Sequence, residues 1–95
     1  MNVNGKYTGN MLNNKRQGRG VFVWTEGSLK DHNYEGNWNN DQMDGKGEYY
    51  ESKKTSIFAR LNCNHYEGCW KDGLKHGYGE EKKGEITYKG YWILG

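Results

Sequence analysis

Along Tyr34-Glu35-Gly36-Asn37-Trp38 the residues alternate, with Tyr34, Gly36 and Trp38 on one side and Glu35 and Asn37 on the other. That is the period of a strand with one buried face. The pattern returns as Tyr66-Glu67-Gly68-Cys69-Trp70, and again as Tyr7-Thr8-Gly9-Asn10-Met11 and Tyr88-Lys89-Gly90-Tyr91-Trp92. Eleven and thirteen residues after the Tyr comes a Gly-x-Gly pair in three copies: Gly18/Gly20, Gly45/Gly47 and Gly77/Gly79. Polar stretches such as Asn39-Asn40-Asp41-Gln42 and Lys71-Asp72-Gly73-Leu74 suit turns. The Gly-x-Gly pair then opens a second strand, read as Gly20-Val21-Phe22-Val23-Trp24 and Gly47-Glu48-Tyr49-Tyr50. Glu26-Gly27 and Lys83-Gly84 mark the passage to the next unit. Each unit is therefore a β-hairpin. A lone hairpin is marginal in water, so stability has to come from stacking. The predicted fold is all-β, an elongated antiparallel meander of stacked hairpins with no helical domain. The Gly between the two aromatics is expected to leave room for a ring from an adjacent strand.

Tyr-x-Gly-x-Trp followed by Gly and then Gly-x-Gly resembles the MORN repeat (membrane occupation and recognition nexus). The resemblance spans residues 7–95 as a single domain, with units starting at Tyr7, Tyr34, Tyr66 and Tyr88. These tyrosines lie 27, 32 and 22 residues apart, against a family unit of about 23. Insertions are thus expected near 28–33 and within 52–65, and the last unit is half complete. The family's mid-unit Gly occurs as Gly73, while Asn14 and Asp41 replace it elsewhere.

Composition sharpens this picture. Leu, Ile, Val and Phe total thirteen in 95 residues, too few for an ordinary core, but the net charge is only +2 and the chain holds eight Tyr and four Trp. The core must be aromatic and thin, as suits a stack in which each unit touches its neighbours. No stretch approaches the roughly 18 apolar residues of a membrane span. Met1–Lys6 lacks a signal peptide's apolar run, so a cytoplasmic location is expected. Cys63 and Cys69 are read as free thiols, since four metal ligands cannot be assembled around them.

Candidate chemistry is scarce. No Gly-x-Ser-x-Gly elbow occurs, and the Gly-x-Gly pairs lack the context of a dinucleotide site. His32 and His65 are read as solvated loop residues and His76 as a turn residue. The expectation is a chain with no catalytic residues, cofactor or metal. Nucleic acid is not expected as a partner, because acids interleave with the bases and the aromatics are needed for the core.

Two features could carry function. The insertion 52–65 holds Lys53, Lys54 and Arg60 with no acid, together with Ile57, Phe58 and Leu61. The terminal strand carries Tyr91, Trp92, Ile93 and Leu94, and an apolar edge strand invites another chain. The resemblance implies an interaction module. The expected role is a small structural subunit, docking other protein subunits through Tyr91, Trp92, Ile93, Leu94, Ile57, Phe58 and Leu61. Small MORN-type chains resemble parts of cytoskeletal and axonemal (ciliary) assemblies, and the resemblance implies that setting. The alternative is a peripheral membrane adaptor holding anionic phospholipids through Lys53, Lys54 and Arg60, each basic residue worth about 1 kcal/mol near such a surface.

Overall fold

The computed structural model describes residues 4–51 and 64–93. They form seven antiparallel strands in one sheet: β1 Gly5–Leu12, β2 Lys15–Trp24, β3 Asn33–Asn39, β4 Gln42–Tyr50, β5 His65–Lys71, β6 Leu74–Lys83 and β7 Ile86–Trp92. Spatial order follows chain order from β1 to β7. The predicted all-β meander is therefore the observed fold, and its extents are 41 × 27 × 19 Å. His65, counted with the insertion in the sequence, is the first residue of β5.

Turn chemistry explains the missing glycines. β1–β2, β3–β4 and β5–β6 are joined by two-residue turns at Asn13-Asn14 (φ 52° and 65°), Asn40-Asp41 (54° and 72°) and Asp72-Gly73 (51° and 83°). Both central residues are left-handed, the geometry whose twist matches a hairpin, and Asn and Asp tolerate it almost as Gly does. Asn14 and Asp41 thus substitute for Gly73 at no loss of turn type.

The second strands start earlier than the sequence suggests, at Lys15, Gln42 and Leu74. Each Gly-x-Gly pair lies inside its strand, at a break in register. There three residues oppose one: 17–19 face Asn10, 44–46 face Asn37, and 76–78 face Cys69. The middle residue is Gly18, Gly45 or Gly77, at φ 87°, 90° and 91°. A side chain there would be strained by the backbone and would crowd Asn10, Asn37 or Cys69.

One glycine from every strand falls in a single row across the sheet: Gly9, Gly20, Gly36, Gly47, Gly68, Gly79 and Gly90. The ring does not come to the glycine between the aromatics as expected. It leaves that glycine's own strand and lies over the second glycine of the pair, with Tyr7 on Gly20, Tyr34 on Gly47 and Tyr66 on Gly79. Gly36 is small for another reason, since a Cβ there would meet the Lys46 carbonyl at 2.6 Å and the Tyr34 hydroxyl at 2.7 Å.

Rings from successive units meet edge to face in an unbroken series. Tyr7–Trp38, Trp38–Tyr34, Tyr34–Trp70, Trp70–Tyr66, Tyr66–Trp92 and Trp92–Tyr88 have centroids 4.9–5.6 Å apart and planes 84–88° apart. Such pairs contribute about 0.5–1.5 kcal/mol each beyond area burial. Five of the seven polar tips hydrogen-bond to backbone carbonyls. The hydroxyls of Tyr7, Tyr34 and Tyr66 donate to the carbonyls of Asn10, Asn37 and Cys69 at 2.7–3.0 Å. The indoles of Trp38 and Trp70 donate to the carbonyls of Gly20 and Gly47 in the preceding unit, at 3.1 and 3.3 Å. The buried core is Phe22, Tyr34, Trp38, Tyr66 and Trp70.

Candidate interaction surfaces

With the rings on one face, alternation sends the intervening residues to the other. Register sets what meets there. Val21 pairs with Glu35, Glu35 with Glu48, Glu48 with Glu67, Glu67 with Glu80, and Glu80 with Lys89. Four carboxylates therefore stand side by side on β3, β4, β5 and β6. On the far side of the glycine row the same face carries Arg19 opposite Asn37, Lys46 opposite Cys69, and Tyr78 opposite Tyr91. Between these rows lies a shallow cleft of about 410 Å³, lined by Arg19, Lys46 and the four glutamates, with Cys69 and Tyr78 at one end. Glu48 accepts a hydrogen bond from the Tyr50 hydroxyl at 2.9 Å, and Lys89 reaches Glu80 at 3.7 Å.

The glutamate row escapes a reading of the sequence because its members lie 13, 19 and 13 residues apart. A signal exists in hindsight: each is the neighbour of a glycine of the central row, in Tyr-Glu-Gly or in Gly-Glu.

The second surface is the β6–β7 end. Ile86, Tyr88, Tyr91 and Ile93 are 75%, 54%, 76% and 84% exposed, and Tyr78 is 51% exposed. Tyr91 meets Tyr78 edge to face at 5.3 Å on the open face. Trp92 points the other way and packs on Tyr66 and Tyr88, so of the expected docking residues it is a member of the ring series. Leu94, Ile57, Phe58, Leu61, Lys53, Lys54 and Arg60 lie outside the described residues. The structure thus sets Tyr91 with Tyr78 on the open face, while Tyr88 is exposed on the ring face beside Trp92, with Ile86 alternating to the same face as Tyr88.

The histidines differ from expectation. His32 is half-buried and its Nδ1 lies 2.8 Å from the Tyr49 hydroxyl. His65 stacks on Tyr50 at 5.0 Å, and His76 sits within β6. His65 and His76 lie in β5 and β6 because these strands run further than the sequence pattern indicates, whereas His32 stays in the connection before β3 and is covered by Tyr49. Burial pushes the hydroxyls of Tyr49 and Tyr66 up to about 12 and raises Tyr34 further still. The backbone N–H of Arg16 holds the Asp41 carboxyl below its usual value, against some desolvation, and the Arg16 guanidinium adds to the effect. Arg16 ties the next unit's turn in place: its N–H and Nε donate to Asp41 Oδ1 at 2.7 and 3.1 Å, while its guanidinium lies 4.6 Å over Trp38. Among the described residues no group of three or more His, Cys, Asp or Glu is arranged to hold a metal ion. No helix among them is long and apolar enough to cross a membrane.

The family model for the MORN repeat matches residues 7–29, 34–52 and 66–84. The chain belongs to the MORN-repeat family. Its relatives include MORN repeat-containing protein 3 of Xenopus laevis, 37% identical over 79 residues, covering 81% of this chain and 30% of that protein. Alsin from Homo sapiens and from Rattus norvegicus is 26% identical over 113 aligned positions, covering 93% of this chain and 7% of Alsin. The chain thus spans a minor part of the curated relatives it matches. MORN repeats are non-enzymatic modules of interaction and membrane association, and the matched segments are the hairpins that build this MORN sheet.

Proposed function

We propose that this MORN chain is a non-catalytic docking subunit, bound to other proteins through the β6–β7 end. The observation that carries the reading is the contrast in exposure along one series of aromatic positions. Tyr34 and Tyr66 are sealed, whereas β7 offers water Ile86, Tyr88, Tyr91 and Ile93 in seven strand residues and the one after. Aromatic side chains exposed together on an edge strand suit a partner's strand, with main-chain hydrogen bonds giving affinity and side-chain pockets giving selectivity. The family resemblance supports a cytoplasmic, cytoskeletal or axonemal setting, and Ile57, Phe58 and Leu61 are the further partner-binding residues of this reading. The competing phospholipid reading depends on Lys53, Lys54 and Arg60.

The test compares the chain with Tyr91→Lys/Ile93→Lys and with Lys53→Glu/Lys54→Glu. Each is used to capture partners from its native cell at about 0.1 and 0.5 M salt, where screening differs strongly. Docking through β7 gives protein partners that survive high salt and are lost with the β7 variant. Recovery that is salt-labile, insensitive to the β7 variant and matched by phosphatidylserine vesicles establishes the membrane reading instead.

A further inference from the structure

We propose that the outer edge of β7 selects one kind of strand: an antiparallel segment of a partner protein carrying Gly-x-Gly, with its second glycine opposite Gly90. This selection rests on the β7 docking read above, and it can fail while that docking stands.

The three complete hairpins show what a first strand demands of the strand beside it. Gly9, Gly36 and Gly68 stand opposite Gly20, Gly47 and Gly79. A Cβ on any of the first three would overlap the facing glycine's Cα and lie 2.6–2.7 Å from the carbonyl oxygen before it. A Cβ on the facing glycine would in turn overlap the ring of Tyr7, Tyr34 or Tyr66. The other glycine of each pair, Gly18, Gly45 or Gly77, holds a bulge at positive φ beside Asn10, Asn37 or Cys69. β7 repeats the first half of this junction. Tyr88, Gly90 and Trp92 recur, and Tyr91 holds the place of Asn10, Asn37 and Cys69. Among the described residues no strand pairs with its outer edge. At Gly90 the three atoms nearest a Cβ all belong to the Tyr88 ring, with no facing backbone among them.

A strand added at this edge meets Tyr88 as β2, β4 and β6 meet Tyr7, Tyr34 and Tyr66. Opposite Gly90, a side chain would have to displace the Tyr88 ring from its contact with Trp92. The bulge beside Tyr91 favours a second glycine, because left-handed backbone carries no steric cost for that residue. Together these reverse the usual preference. An ordinary exposed edge takes alanine at least as readily, since glycine weakens a strand. β1 has no such filter at the opposite margin. Its ring leans over Gly20 of β2, away from the outer edge. Met11 also stands where Trp38 and Trp70 donate to a glycine carbonyl of the strand before. At β7, main-chain bonds would give the affinity and the Tyr88 ring the selectivity.

The probe is a synthetic peptide copying β4, Gln42–Tyr50, titrated into the isotope-labelled 95-residue chain and read by amide NMR shifts. The comparison peptide carries Gly47→Ala. The glycine peptide should bind about tenfold more tightly, the cost of one methyl forced against packed rings, with shifts gathered along residues 86–92. The chain variant Tyr88→Ala should lose that preference or invert it, as only the strand propensities of the two residues then remain. Equal binding of the two peptides, a preference that survives Tyr88→Ala, shifts centred on β1, or no shift with either peptide would overturn the filter. If β7 amides of the free chain move with its own concentration and the peptide does not reverse this, the edge belongs to a second copy, which also overturns it. Partners captured from the cell and lost with Tyr91→Lys/Ile93→Lys, together with equal binding of the peptides, would leave the docking standing and the filter refuted.

Discussion

Tyr34 and Tyr88 hold the same place in their units, yet one is fully buried and the other 54% exposed. One part of the difference is that Tyr34 lies over Gly47 of β4 and against Trp70 of β5, whereas Tyr88 stands on the last described strand. The other part lies in the residues between the repeated ones. Where β2 meets β3, Tyr34 stands opposite Phe22, which packs on Trp24 at 4.7 Å, and Arg16 lies over Phe22 and Trp38. Where β6 meets β7, Tyr88 stands opposite Glu81, which is paired with Lys75, and Lys83 takes the place of Trp24. The middle junction is intermediate, with Met43, Tyr49 and Glu51 at those three positions. Tyr, Gly and Trp fix the frame in every unit, and the variable positions decide how tightly each junction is sealed. A gradient from apolar to charged runs from β2 to β6.

The largest effect should come from the same substitution at the two ends of that gradient. Tyr34→Ala removes a ring touching Trp38 and Trp70 and should cost about 3–5 kcal/mol, much of the stability of a domain this size. Tyr88→Ala, touching Trp92, should cost about 1 kcal/mol. Urea midpoints of the two variants measure the ratio, and equal losses would refute the gradient. Next come the glycines. Gly47→Ala places a methyl into the Tyr34 ring and should cost about 1–3 kcal/mol. Gly84→Ala meets nothing within 4 Å and pays mainly for its φ of 61°, about 1 kcal/mol. Grafting the middle junction onto the last, as Lys75→Met/Glu81→Tyr, replaces a part-buried ion pair with apolar contact. It should raise protection of the β7 amides from hydrogen exchange by about 1 kcal/mol.

The smallest effect at ordinary pH is electrostatic. Tyr49 and Tyr66 are raised from 10.0 to about 12. Below pH 10 they are neutral in folded and unfolded chains alike. Above it the unfolded chain ionises first, so stability is lost as pH climbs from about 10 towards 12. Tyrosinate absorbance recorded with circular dichroism should show these hydroxyls ionising together with loss of the sheet. Ionisation of all eight tyrosines while the sheet stays intact would contradict the burial of Tyr66.

Much of this architecture can be read from Tyr34–Trp38 and its echoes, because alternation and a recurring Gly-x-Gly are local patterns with a fixed strand geometry. What escapes is set by register. The pairing of three residues against one at Gly45 sets Gly47 opposite Gly36 and Glu48 opposite Glu35, and a local reading has no access to that count. The glutamate row and the ring of Tyr34 lying on Gly47 both follow from it. The histidines elude a local reading for a related reason: His65 is the first residue of β5 and stacks on Tyr50, and His32, in the connection before β3, is covered by Tyr49 arriving from β4. Trp92 was legible as an apolar residue on an edge strand, but its inward direction depends on Tyr66 two strands away.

The order β1 to β7 has a mechanical consequence. The chain enters at one margin of the sheet and reaches the other margin last, and the inter-strand bonds run across the strands. A pull applied between the two margins therefore loads those bonds head-on, one strand boundary at a time, as a zip is opened from its end. The charged boundary between β6 and β7 is the one expected to yield most easily. Tension transmitted through this protein would be released there first, in a small and reversible step, while the tightly sealed strands before it held their shape.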